Sequence, residues 1–275
     1  MSQFEIRDAD LANLKDKVVL VTGWVDSLVL SPELFLFLNV TLQPHVCDWE
    51  ALRSVFQRTV EREGRLDAVF ANAGINPRTR FIDDEFDAAD GQLKGPDLTC
   101  VETNLYGVIS TVKLGVHHMR AKDIKGNIVI TASVSSWTRF GAVDYTTSKH
   151  AVLGFMRGLL PHLSALPSPI RINCIAPNWT ESGIVREEIV APTGFALSSP
   201  AQVARSVGVL MSDAARDGEV IFVDGGKYWE IGKSLEANGV GSLVGPTMPE
   251  GSAGGTDWDR YVEFCRRMNI ALGMN

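Results

Sequence analysis

Short uninterrupted apolar runs alternate along this chain with longer stretches in which apolar residues return every three or four positions. The first run, Val18-Val19-Leu20-Val21, is continuous and largely β-branched, as expected of a strand covered on both faces of a parallel sheet. Comparable runs recur at 66–71, 127–132, 170–175 and 219–223. Residues 49–63 (WEALRSVFQRTVERE) carry the helical repeat, and Asp48 stands where an N-cap belongs. Residues 103–120, 145–160 and 200–211 repeat in the same way. Strand and helix alternating over a whole chain predict an α/β fold with a doubly wound parallel sheet and right-handed crossovers. Ligands bind such sheets beyond the carboxyl ends of the strands.

Residues 1–231 therefore read as one domain, with no linker dividing them, and 232–275 as an extension. Within the extension, 232–256 is rich in Gly and Ser and reads as loop. The segment 257–268 (DWDRYVEFCRRM) predicts a short amphipathic helix with Trp258, Tyr261, Phe264 and Cys265 on one side.

Composition narrows the partners. The chain has 275 residues, 45% hydrophobic and 21% charged, enough for one domain with a sizeable core. Its net charge is −7 and its basic residues do not cluster in sequence, which argues against nucleic acid and anionic membrane. The opening MSQFEIRDADLANLKDK lacks an apolar signal core. The most apolar stretch, 28–42, is interrupted by Pro32, Glu33 and Asn39 and is too short for a spanning helix. Cys47, Cys100, Cys174 and Cys265 show no metal-type spacing and read as buried reduced thiols. A cytoplasmic protein without a metal is expected.

Tyr145-Thr-Thr-Ser-Lys149 is the strongest chemical signal. Four residues apart on a helix, the two side chains share a face. An ammonium beside a phenol favours the phenolate and draws its pKa down from about 10 toward the working range. Ser133 ends a strand run twelve residues earlier, where its hydroxyl could donate to a carbonyl held between it and Tyr145. Ser135 and Ser136 compete for that role. Asn72-Ala73-Gly74 follows another strand run, and small residues there let backbone approach a ligand. Asn104 is a polar residue near the start of a largely apolar helix, either functional or a buried amide bonding nearby backbone.

Together these residues resemble the short-chain dehydrogenase/reductase family. The matching pieces are LKDKVVLVTG (14–23), CDW (47–49), NAG (72–74), Asn104, TAS (131–133), YTTSK (145–149), INCIAPNW (172–179) and VDGG (223–226), in the family's order and spacing. The resemblance implies a Rossmann-like domain in which Tyr145 moves the proton. Lys149 would lower its pKa and bind ribose, Ser133 would orient the carbonyl, and Asn104 would hold a proton-relay water. It puts Gly23, Asp48, Asn72, Gly74, Tyr145, Lys149, Thr180 and Ser182 at the cofactor, with Asp48 and Asn72 on the adenosine half. Asn178 stands where the family has Gly in P-G-x-x-x-T, and is expected to take a glycine-like turn. Ser182 replaces the Thr and keeps a hydroxyl.

The front end departs from the family. Where T-G-x-x-x-G-x-G is expected, the chain reads Thr22-Gly23-Trp24-Val25-Asp26-Ser27-Leu28-Val29, so both later glycines are gone. Those glycines let a helix N-terminus meet the pyrophosphate. Only 24 residues lie between Gly23 and Asp48, whereas two helices and two strands of average length need roughly 32. The first βαβ region is therefore read as truncated, with LFLFLNVTL (34–42) as a substitute or remnant strand. A phosphate end left open or filled by Trp24 follows, and with it poor nicotinamide affinity.

The leading expectation is an oxidoreductase moving a hydride between NADP (NAD not excluded) and a carbonyl or alcohol. Trp137, Phe140 and Trp179 point to a bulky apolar substrate, and the style of the sequence to fungal secondary metabolism. Two alternatives stay open: a cofactor-independent isomerase, dehydratase or cyclase using the same residues, and a non-catalytic partner. A homodimer or homotetramer is expected through apolar outer stripes on the helices at 103–120 and 145–160.

Overall fold

The computed structural model describes residues 2–23, 37–38, 46–78, 80–182, 185 and 187–236, together with 263, 266, 267 and 270. Its strands are β1 Ser2–Phe4, β2 Val19–Thr22, β3 Phe37–Leu38, β4 Ala68–Ala71, β5 Asn127–Thr131, β6 Arg171–Pro177, β7 Val220–Asp224 and β8 Lys227–Glu230. They form one sheet in the order β1-β8-β7-β6-β5-β4-β2-β3. Strands β2 to β7 pair in parallel; β8 lies antiparallel on β7, and β1 antiparallel on β8. The helices are α1 Trp49–Glu63, α2 Thr99–Val101, α3 Gly107–Ala121, α4 Val143–Ser164, α5 Glu187–Val190, α6 Pro200–Ser212 and α7 Gly232–Leu235.

The uninterrupted apolar strands follow from burial on both sides. Val18 and Leu20 join the core beneath α1, α3 and α4, while Val19 and Val21 join the core beneath α6 and the 3₁₀ segment Asp8–Leu14. This layering is the doubly wound α/β arrangement. The Asp48 carboxylate accepts from the Ala51 N–H at 3.0 Å and caps α1, which ends at Gly64 in the left-handed conformation.

The segment LFLFLNVTL does contribute a strand, β3, running parallel to β2. β2 has β3 on one side and β4 on the other, so the strand order reverses there and leaves a crevice at the carboxyl ends.

Several expectations change. The helix expected over 103–120 is not uniform: α2 passes through a π-helical turn, Glu102–Tyr106, before α3 begins. Gly232–Leu235, expected as loop, is a helical turn. Asn178 does not take a glycine-like turn; among the described residues the non-glycine positions with positive φ are Asp16 and Asp123. The outer face of α3 carries exposed Lys113, His117 and Arg120 beside half-buried Ile109 and Val116, so it is mixed in character. Cys100 and Cys174 are buried and unpaired, while Cys47 is half-buried. No helix among the described residues is long and apolar enough to cross a membrane. Trp24, Trp258, Tyr261, Phe264 and Cys265 lie outside the described residues.

Candidate active site

The site forms where the carboxyl ends of β2, β4, β5 and β6 meet the start of α4. Gly23 closes β2 at φ 91°, and a Cβ there would lie 2.7 Å from the Ala73 Cα. Both the dihedral and the close approach require glycine. The neighbouring Thr22 hydroxyl accepts from the Ala73 N–H at 3.4 Å, which ties the end of β2 to the Asn72-Ala73-Gly74 turn after β4. Asn72 is held in turn by the Thr131 hydroxyl, which donates to its Oδ1 at 3.0 Å.

Ser133 leaves β5 with extended backbone and starts a short 3₁₀ turn, Val134–Ser136. Its Oγ accepts from the Ser135 N–H, and the Ser136 Oγ accepts from the Ser133 N–H, each at 3.2 Å. Ser135 and Ser136 are both buried, and Ser136 serves this capping turn. Ser133 is the serine whose side chain lies near enough to Tyr145 to favour its phenolate.

Lys149 lies one turn beyond Tyr145 on α4, its Nζ 5.6 Å from the Tyr145 ring centroid. The ammonium is buried and donates to the Thr131 carbonyl at 2.7 Å. Burial lowers its pKa to about 8. Burial also raises the Tyr145 phenol above its ordinary value, outweighing the opposing influence of the Ser133 side chain. The Lys149 ammonium faces the Tyr145 ring and the Thr131 carbonyl, and on the phenol itself desolvation is the largest influence.

Asn104 is fully buried in the π-turn. Its Oδ1 accepts from the Ile75 N–H at 2.7 Å, and its Nδ2 donates to the Ile75 carbonyl at 3.0 Å and to the Cys100 Sγ at 3.4 Å. Single wide turns of this kind recur at functional sites. Gly74 makes room here, since a Cβ on it would meet the Asn104 Oδ1 at 3.2 Å and the Lys149 Nζ at 3.7 Å. Asp144, beside Tyr145, accepts from the Arg78 N–H at 2.9 Å and so fastens the loop after β4 to the head of α4. Cys100, Ile75 and Asp144 carry no signal in the sequence, because their parts here are played by backbone groups or by unremarkable side chains.

The remaining positions lie to either side. Asn178 Nδ2 donates to Asp224 at 2.9 Å, and the Thr180 hydroxyl donates to the Asn178 carbonyl at 3.2 Å. Ser182 Oγ accepts from the Val185 N–H at 3.1 Å. The Asp48 carboxylate is exposed at the head of α1 and not among the tetrad. Of the aromatic residues, Phe140 meets the Tyr145 ring edge-on at 6.4 Å between centroids, whereas Trp137 packs on Phe222 in the core.

The described residues fit the nicotinamide–ribose half of a dinucleotide. The buried Lys149 spends one of three N–H donors on Thr131 and keeps two for ribose hydroxyls.

Comparison with known proteins agrees with this geometry. The family described as short chain dehydrogenase matches residues 37–191. The short-chain dehydrogenase/reductase ascJ of Acremonium egyptiacum is 37% identical over 259 residues, covering 86% of this chain and 87% of its own. The short-chain dehydrogenase/reductase prx4 of Penicillium rubens is 28% identical, covering 80% of this chain and 72% of its own. Among solved structures, carveol dehydrogenase from Mycobacterium avium in complex with NAD shares the fold at TM-score 0.62 and 23% identity, over 78% of this chain and 98% of its own. ElxO with NADP bound shares it at TM-score 0.58 and 21% identity, over 76% of this chain and 98% of its own. The chain belongs to the short-chain dehydrogenase/reductase family of oxidoreductases.

Proposed function

We propose that this protein transfers a hydride between NADP, or NAD, and the carbonyl or alcohol carbon of a bulky, apolar small molecule in fungal secondary metabolism. The observation that carries this reading is the grouping of Tyr145 with Lys149, whose Nζ lies 5.6 Å from the phenol ring centroid, and with Ser133, whose side chain favours the phenolate. The relatives from Acremonium and Penicillium support the fungal setting. Neighbouring folds solved with NAD and with NADP support either nucleotide.

Bound nicotinamide would supply the hydride in reduction or accept it in oxidation. In the reducing direction Ser133 donates a hydrogen bond to the carbonyl oxygen. Tyr145, held protonated by burial, releases its proton to that oxygen as the carbon gains hydride. Lys149, donating to Thr131, offers its remaining N–H groups to ribose hydroxyls and its charge to the developing phenolate. The Asn104 Oδ1 keeps a second lone pair for the water that reprotonates the site. Phe140, edge-on to Tyr145 and exposed, presents an apolar wall to the substrate.

Calorimetry with NADPH and NADH tests the first half, and nucleotide oxidation with a panel of aromatic and terpenoid ketones tests the second. Binding without turnover of any carbonyl or alcohol in either direction would overturn the oxidoreductase reading. The loss of glycine at Ser27 and Val29 favours a second one, acid–base isomerisation, dehydration or cyclisation without nucleotide. Turnover that needs Tyr145 but no nucleotide would establish it.

A further inference from the structure

Between β4 and α2 a lobe stands out from the domain: residues 80–96 are all exposed. It is built rather than loose. Phe86 and Leu93 pair across it in antiparallel register. The Asp87 N–H donates to the Gln92 carbonyl and the Lys94 N–H to the Glu85 carbonyl, each at 2.8 Å. Its large apolar side chains nevertheless face solvent: Ile82 is 78% exposed, Phe81 67%, Leu93 62% and Phe86 58%. Apolar residues grouped on a formed surface element mark a place that another molecule covers. Their neighbours are acidic. Arg80 pairs with Asp83 at 3.7 Å, but among the described residues Asp84, Glu85, Asp87 and Asp90 have no cation within ion-pairing distance.

The neck of this lobe is fastened to the head of α4. Asp144 divides its carboxylate there: Oδ1 accepts from the Tyr145 N–H at 2.7 Å and Oδ2 from the Arg78 N–H at 2.9 Å. Across the neck Arg78 meets Asp97 at 3.9 Å, and Asp97 accepts from the Thr99 N–H at 2.9 Å where α2 begins. Phe81 follows Arg78 by three residues, which span about 11 Å at full extension. The chain thereby keeps Phe81 near the start of α4, where Phe140 and Val143 are also exposed. One carboxylate thus joins the backbone of the proton-carrying tyrosine to the root of an apolar lobe.

We propose that Asp144 is a positioning residue and that the lobe selects the substrate. The carboxylate holds the neck against Tyr145, so that Phe81 and Ile82 cover the apolar body of a substrate whose carbonyl lies at the phenol. Burial of that body against the lobe supplies binding, while the unpaired carboxylates disfavour substrates that carry a negative charge. The class selected is uncharged apolar ketones or alcohols, not carboxylates or phosphate esters. The inference rests on the oxidoreductase reading for the position of the carbonyl.

Steady-state kinetics on the full chain reads the result, with a panel of bulky aromatic and terpenoid ketones, their carboxylated analogues and a short aliphatic ketone. Phe81→Ser with Ile82→Ser, and separately Asp144→Ala, should each lower kcat/KM for bulky ketones relative to the short one by about tenfold or more, mainly through KM. Asp144→Asn should fall between, because its amide keeps an acceptor oxygen for only one of the two N–H groups. Asp84→Lys with Glu85→Lys should raise kcat/KM for the carboxylated analogues. The lobe variant, at exposed positions away from either core, decides the matter if Asp144→Ala fails to fold by circular dichroism. A parallel loss on bulky and short ketones, or an unchanged ratio in a folded lobe variant, overturns the proposal. So does a lobe variant that alters only the mass seen by light scattering, which marks a contact between copies. If the wild type turns over no ketone, calorimetric binding of the same panel replaces the rate. Binding weakened about tenfold by the lobe variant then supports the lobe while the oxidoreductase reading falls; absent or equal binding overturns the lobe as well.

Discussion

The Lys149 ammonium donates to the Thr131 carbonyl at 2.7 Å, so a charge buried within the domain is anchored to the last residue of β5. One carbonyl does not replace the water that an ammonium loses, and the pKa falls to about 8. A lysine whose folded pKa is depressed costs stability while protonated. The cost is full below about pH 8, and stability recovers as pH rises from there toward the ordinary lysine value. Lys149→Met should therefore stabilise the nucleotide-free protein at pH 7, by on the order of 3 kcal/mol or several degrees of melting temperature. The gain should shrink above pH 8. Calorimetric melts of both proteins across pH check this, and an equal gain at pH 7 and pH 10 would refute it.

Tyr145→Phe removes the proton but keeps the ring that Phe140 touches. Carbonyl reduction should fall by about 10²–10⁴ in kcat, with nucleotide affinity and melting temperature little changed. Steady-state kinetics beside calorimetry separates these effects. A variant retaining a tenth of wild-type kcat would show that another group supplies the proton.

The rate should also depend on pH through Lys149. Its charge is present below about pH 8 and lost above, while burial keeps Tyr145 protonated beyond its ordinary value. Reduction should accordingly decline as pH passes about 8, with no matching loss at neutral pH. A reduction rate that climbs between pH 8 and 10 would contradict this order of titration.

Gly23→Ala places a methyl group against the Ala73 backbone at a dihedral that alanine resists. The expected cost is about 1–3 kcal/mol, accompanied by weaker nucleotide binding as the crevice narrows. Urea unfolding and calorimetry check both. Unchanged stability would mean that the β2 end relaxes away from Ala73.

Much of this architecture was legible beforehand because parallel strands covered on both faces leave no polar residue to blur the run. Val18 to Val21 and the run ending at Ala71 announce themselves in that way, and Asp48 marks the start of α1 by its carboxylate alone. Edges were not legible. β1 is three residues of ordinary composition, stabilised by pairing with Glu230, Trp229 and Tyr228 far along the chain. No local pattern encodes such a partner. The bridge between Phe86 and Leu93 is local, but the polar run between them carries no alternation that would mark two strands. Asn104, Ser133, Tyr145 and Lys149 stand out through the family resemblance, whereas the carbonyl that holds Lys149 belongs to backbone that any residue could supply.

Two contacts bracket the shortened front end. Gly23 rests on Ala73, and Val46 presses on Gly107, where even a methyl group would collide with it. Whatever spans 24–45 must leave from one and arrive at the other, and both rest on elements of the catalytic half. Both ends of the segment are thus pinned to backbone beside Asn72 and Asn104, so a substitution that loosened either contact would be felt at the site.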